Sequence, residues 1–369
     1  MMSSRGKVLS RRELNRAFLE RQLLSERAQS GVEDVLRHLV GLQAQQPAPP
    51  YFGLWSRLKG FEPDDLARLI LDRRVVRANL MRCTVHLVTA DDCLVLRRVT
   101  APMIDRALRA NPERAAELEK IPDLAGFAEA ARELLAEPRG IKELGELLAP
   151  RWPECEPAEL ARIAQLVVPS LQTPPRGVWG RSSRPAWAAI ESWLGRPIPA
   201  EADPGPLLLR YLAAFGPATV ADMQQWSGLT GLAEICARLE LRTFRDERGR
   251  TLLDLPDAPL PGPDAPAPVR FLAEYDNAIL SHADRSRIID RSLLGAVVTK
   301  NGIVRGTVLV DGFVRAMWKI ERPGAVVVTP FAKLSGDDAS AVEEEGMRLL
   351  AFAAPAARTH DVRLDPVAD

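Results

Sequence analysis

Cysteine is scarce in this chain: Cys83, Cys93, Cys155 and Cys236 are the only four in 369 residues, and none stands at CxxC or Cys/His metal spacing. That pattern excludes a disulfide framework and a zinc ribbon, and it predicts a reducing compartment. Long apolar runs are also missing. The N-terminus has no hydrophobic segment of signal-peptide type, and no stretch approaches the roughly 18 apolar residues of a membrane span. Neither membrane insertion nor export is therefore expected, and the expected location is cytoplasmic. Net charge is zero, so nothing global argues for a nucleic-acid partner. Lysine is rare beside arginine, 7 against 42, and with heavy Ala, Pro and Gly usage this suggests a GC-rich bacterial genome. What is present is apolar bulk: 46% hydrophobic residues suffice for real cores. At roughly 100–200 residues per domain the length implies two or three domains.

Charge is unevenly placed. Residues 1–100 carry 17 Lys+Arg against 11 Asp+Glu, while the segment after Gly336 is acidic. Compensated halves can hide a basic face, or simply form a mixed-charge surface.

Four units follow one another. In the first, 8–100, Ser10 and Glu13 form a capping box ahead of a helix over 11–24. An amphipathic helix is predicted over 32–45, another over 64–77, and a short strand over 84–88. The second unit, 101–196, has two helices, 141–148 and 158–171, around a turn at Pro153. A Gly/Pro/Arg/Ser-rich loop or wing over 173–187 follows and reads as too polar for core. The third, 204–257, orders three helices (207–215, 219–226, 230–239) and two strands (241–244, 251–255), which is the winged-helix order. The fourth, 268–369, is β-rich. Asn301-Gly302 and Asp311-Gly312 mark hairpins, 294–299 reads as a strand, and a final helix covers 340–352. The fold class is thus α+β, mainly helical: tandem winged-helix units with a C-terminal β-rich region.

The feature richest in chemistry is Gln43-Ala44-Gln45. Val32, Val35, Leu36, Leu39 and Val40 form an apolar helical stripe. Its next position is Gln43, just before Pro47, Pro49 and Pro50 stop the helix. An amide among apolar groups costs free energy unless paired, so Gln43 needs a partner or a task. An amide oxygen can hold a water but cannot take its proton at neutral pH. Such a pair suits a reaction whose leaving group is already activated, of which a cationic N7-alkylguanine is one case. The other reading is a pair that ties a helix end to a loop, and spacing leaves both open.

Thr84 and His86 share a strand face, with Arg82 on that face by period. They suit a phosphate or base edge, or a half-buried histidine. Arg176, Arg181 and Arg184 flank Trp179 on the wing and suit phosphate contacts, or a solvated loop. Glu274, Tyr275, Asp276, His282, Asp284 and Arg285 lack metal spacing. Asp284, Arg285 and Arg287 read as a salt-bridged turn or a strip along a nucleic-acid backbone. No cofactor or metal is called for. Neither third helix looks like a reader of bases: 230–240 carries Glu234 and Glu240 against Arg238, and 158–171 is almost wholly apolar.

Five ordered blocks carry a resemblance: Val8 to Asn15; Gly41-Leu42-Gln43-Ala44-Gln45; Arg82-Cys83-Thr84-Val85-His86-Leu87-Val88; Leu280 to Arg285; and Asn301-Gly302 with Gly306 to Gly312. Together they resemble the AlkZ-like bacterial DNA glycosylases along nearly the whole chain. The resemblance implies tandem winged helices in a concave DNA-binding scaffold. It implies excision of bulky N7-alkylguanine adducts, with interstrand crosslinks among the family's substrates. Gln43 and Gln45 map onto the family's Gln-aliphatic-Gln motif, which would position the hydrolytic water, and Thr84 and His86 onto DNA contacts. Glutamine rather than aspartate at 45 is similar to the branch that protects antibiotic producers from their own product. The expectation is a monomeric, monofunctional glycosylase on double-stranded DNA carrying alkylated guanine, with Arg82, Arg176, Arg181 and Arg285 as further DNA contacts. The alternative from another class is a winged-helix regulator or drug-sequestering protein without turnover.

Overall fold

A computed structural model describes residues 7–367. Ser10 caps the helix Arg11–Arg21, and Glu13 returns the bond to the Ser10 backbone, so the predicted capping box is present. The strands are β1 (Val8–Leu9), β2 (Leu42–Gln43), β3 (Val75–Asn79), β4 (Val85–Thr89), β5 (Arg139–Gly140), β6 (Ser170–Gln172) and β7 (Ala186–Ala189). They continue with β8 (Arg242–Asp246), β9 (Thr251–Asp254), β10 (Arg270–Leu272), β11 (Thr307–Val310), β12 (Phe313–Arg322), β13 (Ala325–Pro330) and β14 (Asp361–Leu364). Among the described residues they make three sheets, ordered β2-β4-β3-β6-β7-β5, β1-β8-β9 and β10-β11-β12-β13-β14.

The first sheet crosses the expected boundary at 100/101. It contains strands from both sides of that line, with Ala78 on β3 opposite Leu171 on β6. One buried apolar cluster runs from Phe18 to Leu350. The first two units therefore share a sheet and a core. The third shows the expected order, with helices Gly205–Phe215, Val220–Ser227 and Leu232–Cys236 before the β8–β9 hairpin. Thr219 and Asp222 form the capping box, but Gly231, not Thr230, stands at the N-cap of the last and shorter helix. β1 from the chain's start pairs parallel with β8, closing the third unit's sheet.

Other differences share one cause: a helical apolar stripe continued straight into a buried strand. The helix predicted over 32–45 ends at His38. Val40 and Gly41 then turn through positive φ, 54° and 87°, and the Gly41 N–H closes on the Leu36 carbonyl at 2.7 Å. Glycine is required here, because a Cβ at Gly41 would lie 2.4 Å from Val88 Cγ1. Similarly, 64–77 splits into the helix Pro63–Leu71, a turn with Arg73 at φ 59°, and β3. Residues 158–171 split into the helix Pro157–Val167 and β6. In the opposite sense, the strand expected over 294–299 is the short helix Leu294–Val297, followed by a Val298–Val304 bridge. The Asp311-Gly312 turn joins β11 to β12 as expected, both residues at positive φ.

The wing after β6 is less polar in its surroundings than its composition. Trp187 lies on β7 and is buried. Trp179 packs on Tyr51 at 4.8 Å between ring centroids and on Phe352 at 5.7 Å. The Tyr51 hydroxyl donates to the Gly177 carbonyl at 2.7 Å. The wing is thereby fastened to the first unit.

Candidate active site

Gln43 ends β2 and Gln45 lies in the bend that follows it, so neither sits at a helix end. β2 pairs antiparallel with β4, placing Gln43 opposite His86 and Leu42 opposite Leu87. The Ala44 N–H donates to the Val85 carbonyl at 2.7 Å, which prolongs the pairing. Alternation buries Leu42 and Ala44 in the core and turns both glutamines to the other face. The partners expected for Gln43 exist: it is 8% exposed, and its Oε1 accepts from Arg82 Nη2 at 2.7 Å. Gln45 is exposed, and its Oε1 makes only a long 3.4 Å contact with the Val85 N–H.

Arg82 reaches Gln43 because the β3–β4 connection is unusual. Arg82 and Cys83 both adopt left-handed backbone, φ 55° and 56°. For a residue with a Cβ this costs roughly 1–2 kcal/mol. The turn is held by the Thr84 hydroxyl donating to the Met81 carbonyl at 3.1 Å and by Arg82 Nη1 donating to the Trp226 carbonyl. Trp226 belongs to the third unit, so that unit braces the site.

His86 lies behind Arg82 and is 1% exposed. Its Nδ1 faces the Thr84 carbonyl at 2.9 Å. A carbonyl only accepts, so Nδ1 carries the proton and Nε2 keeps a lone pair toward Arg82 Nη2, 3.3 Å away. Burial, reinforced by the Arg82 charge, pushes the His86 pKa down to about 3. At neutral pH it is a neutral acceptor, unable to donate to a phosphate or act as an acid. Its place is support for Arg82. Arg82 itself is pushed down to about 10 by burial and by nearby Arg285, and stays cationic. The site thus joins Gln43, Arg82 and His86 directly, with Thr84 in the turn that carries Arg82.

Three supports were not singled out in the sequence for this role. Arg77 on β3 is buried, donates to the Ala44 carbonyl at 2.7 Å and to Gln172 Oε1 at 3.2 Å, and has its pKa lowered to about 10 by burial and then Arg176. Asn277 Nδ2 donates to the Gly41 carbonyl at 2.7 Å. Arg57 and Asp276 form a buried bidentate ion pair, at 2.8 and 2.9 Å, that fixes the segment bearing Asn277. An arginine as the one charged residue of the strand Val-Val-Arg-Ala-Asn was the available signal for Arg77.

A cleft of about 590 Å³ begins one residue past the motif, at Gln46, and is lined also by Pro47, Arg176, Trp179, Arg181 and Glu274; neither Gln43 nor Gln45 lines it. Arg181 is exposed. Arg176 is half-buried and donates to the Ser183 carbonyl at 2.9 Å. Desolvation raises the Glu274 pKa. Arg285 is half-buried and its side chain makes no hydrogen bond or ion pair with the described residues, while Asp284 takes Arg248 and Arg250. His282 is engaged by Ser281 and the Phe215 carbonyl. Among the described residues no cluster of three or more metal-type ligands occurs, and no helix is long and apolar enough to cross a membrane.

A model of the family "DNA glycosylase AlkZ-like" matches residues 36–352. The chain is 27% identical over 360 residues to the interstrand DNA cross-link repair glycosylase of Streptomyces sahachiroi, covering 89% of this chain and 92% of that one. The solved structure of the Streptomyces sahachiroi DNA glycosylase AlkZ superposes with a TM-score of 0.77 at 20% identity, over 97% of this chain and 100% of the other. The α+β architecture is therefore that of AlkZ, the chemistry is that of an enzyme cleaving N-glycosidic bonds in DNA, and the chain belongs to the AlkZ-like DNA glycosylase family.

Proposed function

We propose that this glycosylase hydrolyses the C1′–N9 bond of bulky N7-alkylguanine adducts in duplex DNA, working as a monomer, with Gln43 and Gln45 as its catalytic pair. The observation that carries the reading is chemical. The side chains gathered at the pair are amides, a cationic guanidinium and a neutral histidine. Among the described residues Gln43 is hydrogen-bonded through its side chain to Arg82, with no carboxylate or primary amine as partner, so neither a strong general base nor a Schiff-base nucleophile is bonded to it. Such a site suits a bond already weakened by a ring cation. The C1′–N9 electron pair passes to the purine and neutralises it, a C1′–O bond forms to water, and the water's proton leaves to solvent. Holding that water opposite the leaving base supplies the orientation term. The product is an abasic site.

The crosslink activity named for the Streptomyces relative extends to this chain within the same proposal, supported by the open cleft that begins at Gln46, next in sequence to Gln45. Gln45 favours the narrower, producer-protecting branch. Arg285, Arg181 and Arg176 are proposed as DNA contacts, with Arg82 and Thr84 at the site's edge and His86 contributing through Arg82. The test is duplex carrying N7-methylguanine or a bulkier adduct, incubated with protein and then treated with alkali. Strand cleavage is expected, and Gln45→Ala should abolish it while keeping DNA binding. No cleavage above the blank across several adducts rejects the reading.

A further inference from the structure

The two glutamines are commonly equivalent as chemical groups, since each amide carries one acceptor and one donor end. Their surroundings make them unequal. A guanidinium has five N–H donors and no acceptor, so whatever atom of Gln43 faces Arg82 Nη2 at 2.7 Å must be the oxygen. The orientation of this amide follows from chemistry alone. Arg82 cannot swing away easily, because its other branch is bonded to the Trp226 carbonyl and Nη2 also meets His86 Nε2. His86 cannot replace Gln43's oxygen with a donor of its own, since its protonated nitrogen is committed to Thr84. What Gln43 has left is Nε2. That nitrogen has no partner among the described residues, yet it is not among the buried unpartnered atoms, so it meets solvent at the site. Gln45 differs: its side chain is exposed, and its oxygen is held only by the long contact to Val85.

We propose that Arg82 is a positioning residue that locks Gln43 as a hydrogen-bond donor, so that the pair works with opposite polarity: Gln43 offers N–H, Gln45 offers oxygen. This deepens the glycosylase reading and rests on it. Gln45 accepts a hydrogen bond from the attacking water and so aims the water's lone pair at C1′, the proton leaving to solvent once the C1′–O bond has formed. Gln43 donates to an acceptor on the departing nucleotide. Guanine N3 is an acceptor of that kind, and it gains electron density as the C1′–N9 pair moves into the purine. A donor waiting where charge accumulates stabilises the transition state more than the ground state.

The experiment is single-turnover excision from duplex containing N7-methylguanine, at saturating protein. Affinity for the same duplex and the melting temperature are measured in parallel. Gln43→Glu keeps an oxygen on Arg82 but loses every N–H. If the donor matters, it falls as far as Gln43→Ala, by roughly 100-fold or more, the usual loss on removing one transition-state donor. Arg82→Met frees the amide to flip and should lose roughly tenfold. Arg82→Lys, also a pure donor, should recover part of that. In a Gln43→Ala background Arg82→Met should cost nothing further in rate, because its action passes through Gln43. A merely structural Arg82 would instead multiply the two losses. The proposal is overturned if Gln43→Glu stays within about tenfold of the parent, or if the Arg82 and Gln43 losses multiply. If the parent protein releases no modified base at all, the glycosylase reading fails, an outcome distinct from either.

Discussion

His86 offers a measurement that separates a buried support from a surface contact. Burial and Arg82 hold its pKa near 3, well below the ordinary 6.5. Above pH 6.5 neither folded nor unfolded chain carries the proton, so His86 contributes no pH dependence there. As pH falls below 6.5 the unfolded chain takes up a proton that the folded one refuses, and stability drops until pH reaches the folded value. At pH 5.5 the loss from this residue is about 1.4 kcal/mol, growing by about the same amount for each further unit. His282, also pushed down to about 3, by burial first and Arg287 second, adds a loss of the same sign in the same window. Urea denaturation at pH 7.5 and 5.5 measures the sum, and His86→Gln should remove about half of the difference. Nitrogen-15 NMR should show the His86 ring as the Nδ1–H tautomer, with shifts constant from pH 8 to 5. A ring that titrates near 6.5, or a pH slope untouched by His86→Gln, would refute the geometry and return His86 to the DNA-facing surface.

Further outcomes follow from single contacts. Gly41→Ala puts a Cβ against Val88 at positive φ and should cost about 2–4 kcal/mol, read as a lowered urea midpoint. Asp276→Asn strips the buried Arg57 of its partner and should cost about 3–5 kcal/mol, with excision lost in proportion to unfolded protein. Arg285→Ala, if the side chain meets phosphate, should weaken binding to every sequence alike and reduce the slope of log affinity against log salt by about one unit. An unchanged slope would remove Arg285 from the interface.

The sequence showed where chemistry lies better than how the backbone brings it together. Capping boxes at Ser10 and Thr219, the order of the third unit and the Asp311-Gly312 turn are local signals, and the structure contains them. The motif at Gln43–Gln45 was legible as a polar interruption, but its conformation was not. Val32 to Val40 reads as one helical stripe because buried strand and buried helix present the same apolar residues. Only Gly41, whose side chain would collide with a strand more than forty positions away, distinguishes them, and that collision is tertiary. Arg82 was placed beside His86 by counting along an imagined strand. It reaches that neighbourhood through a left-handed turn instead. Arg77 shows only as a charge in an otherwise uncharged strand, and Asn277 and Arg57 carry no local signature, since the partners that matter, the Ala44 and Gly41 carbonyls and Asp276, are remote in sequence and meet them only on folding.

That remoteness bears on how the site exists. β2 is two residues long at the edge of its sheet, too short to hold two glutamines in register by its own ladder. The motif is instead fastened at Gly41 from Asn277, at Gln43 from Arg82, and at Ala44 from Arg77. Arg82 in turn leans on Trp226, and Tyr51, just beyond the motif, on Gly177. These contacts come from all four units, and each exchanges water for a specific donor at modest net gain. None is strong enough alone, so the precision of the pair is a property of the assembled chain. The wing is pinned to Tyr51, and the Trp226 carbonyl to the strained loop at Arg82, so the second and third units both help to hold the motif. A family whose model spans residues 36–352 around a motif of three residues is what such a distributed support requires.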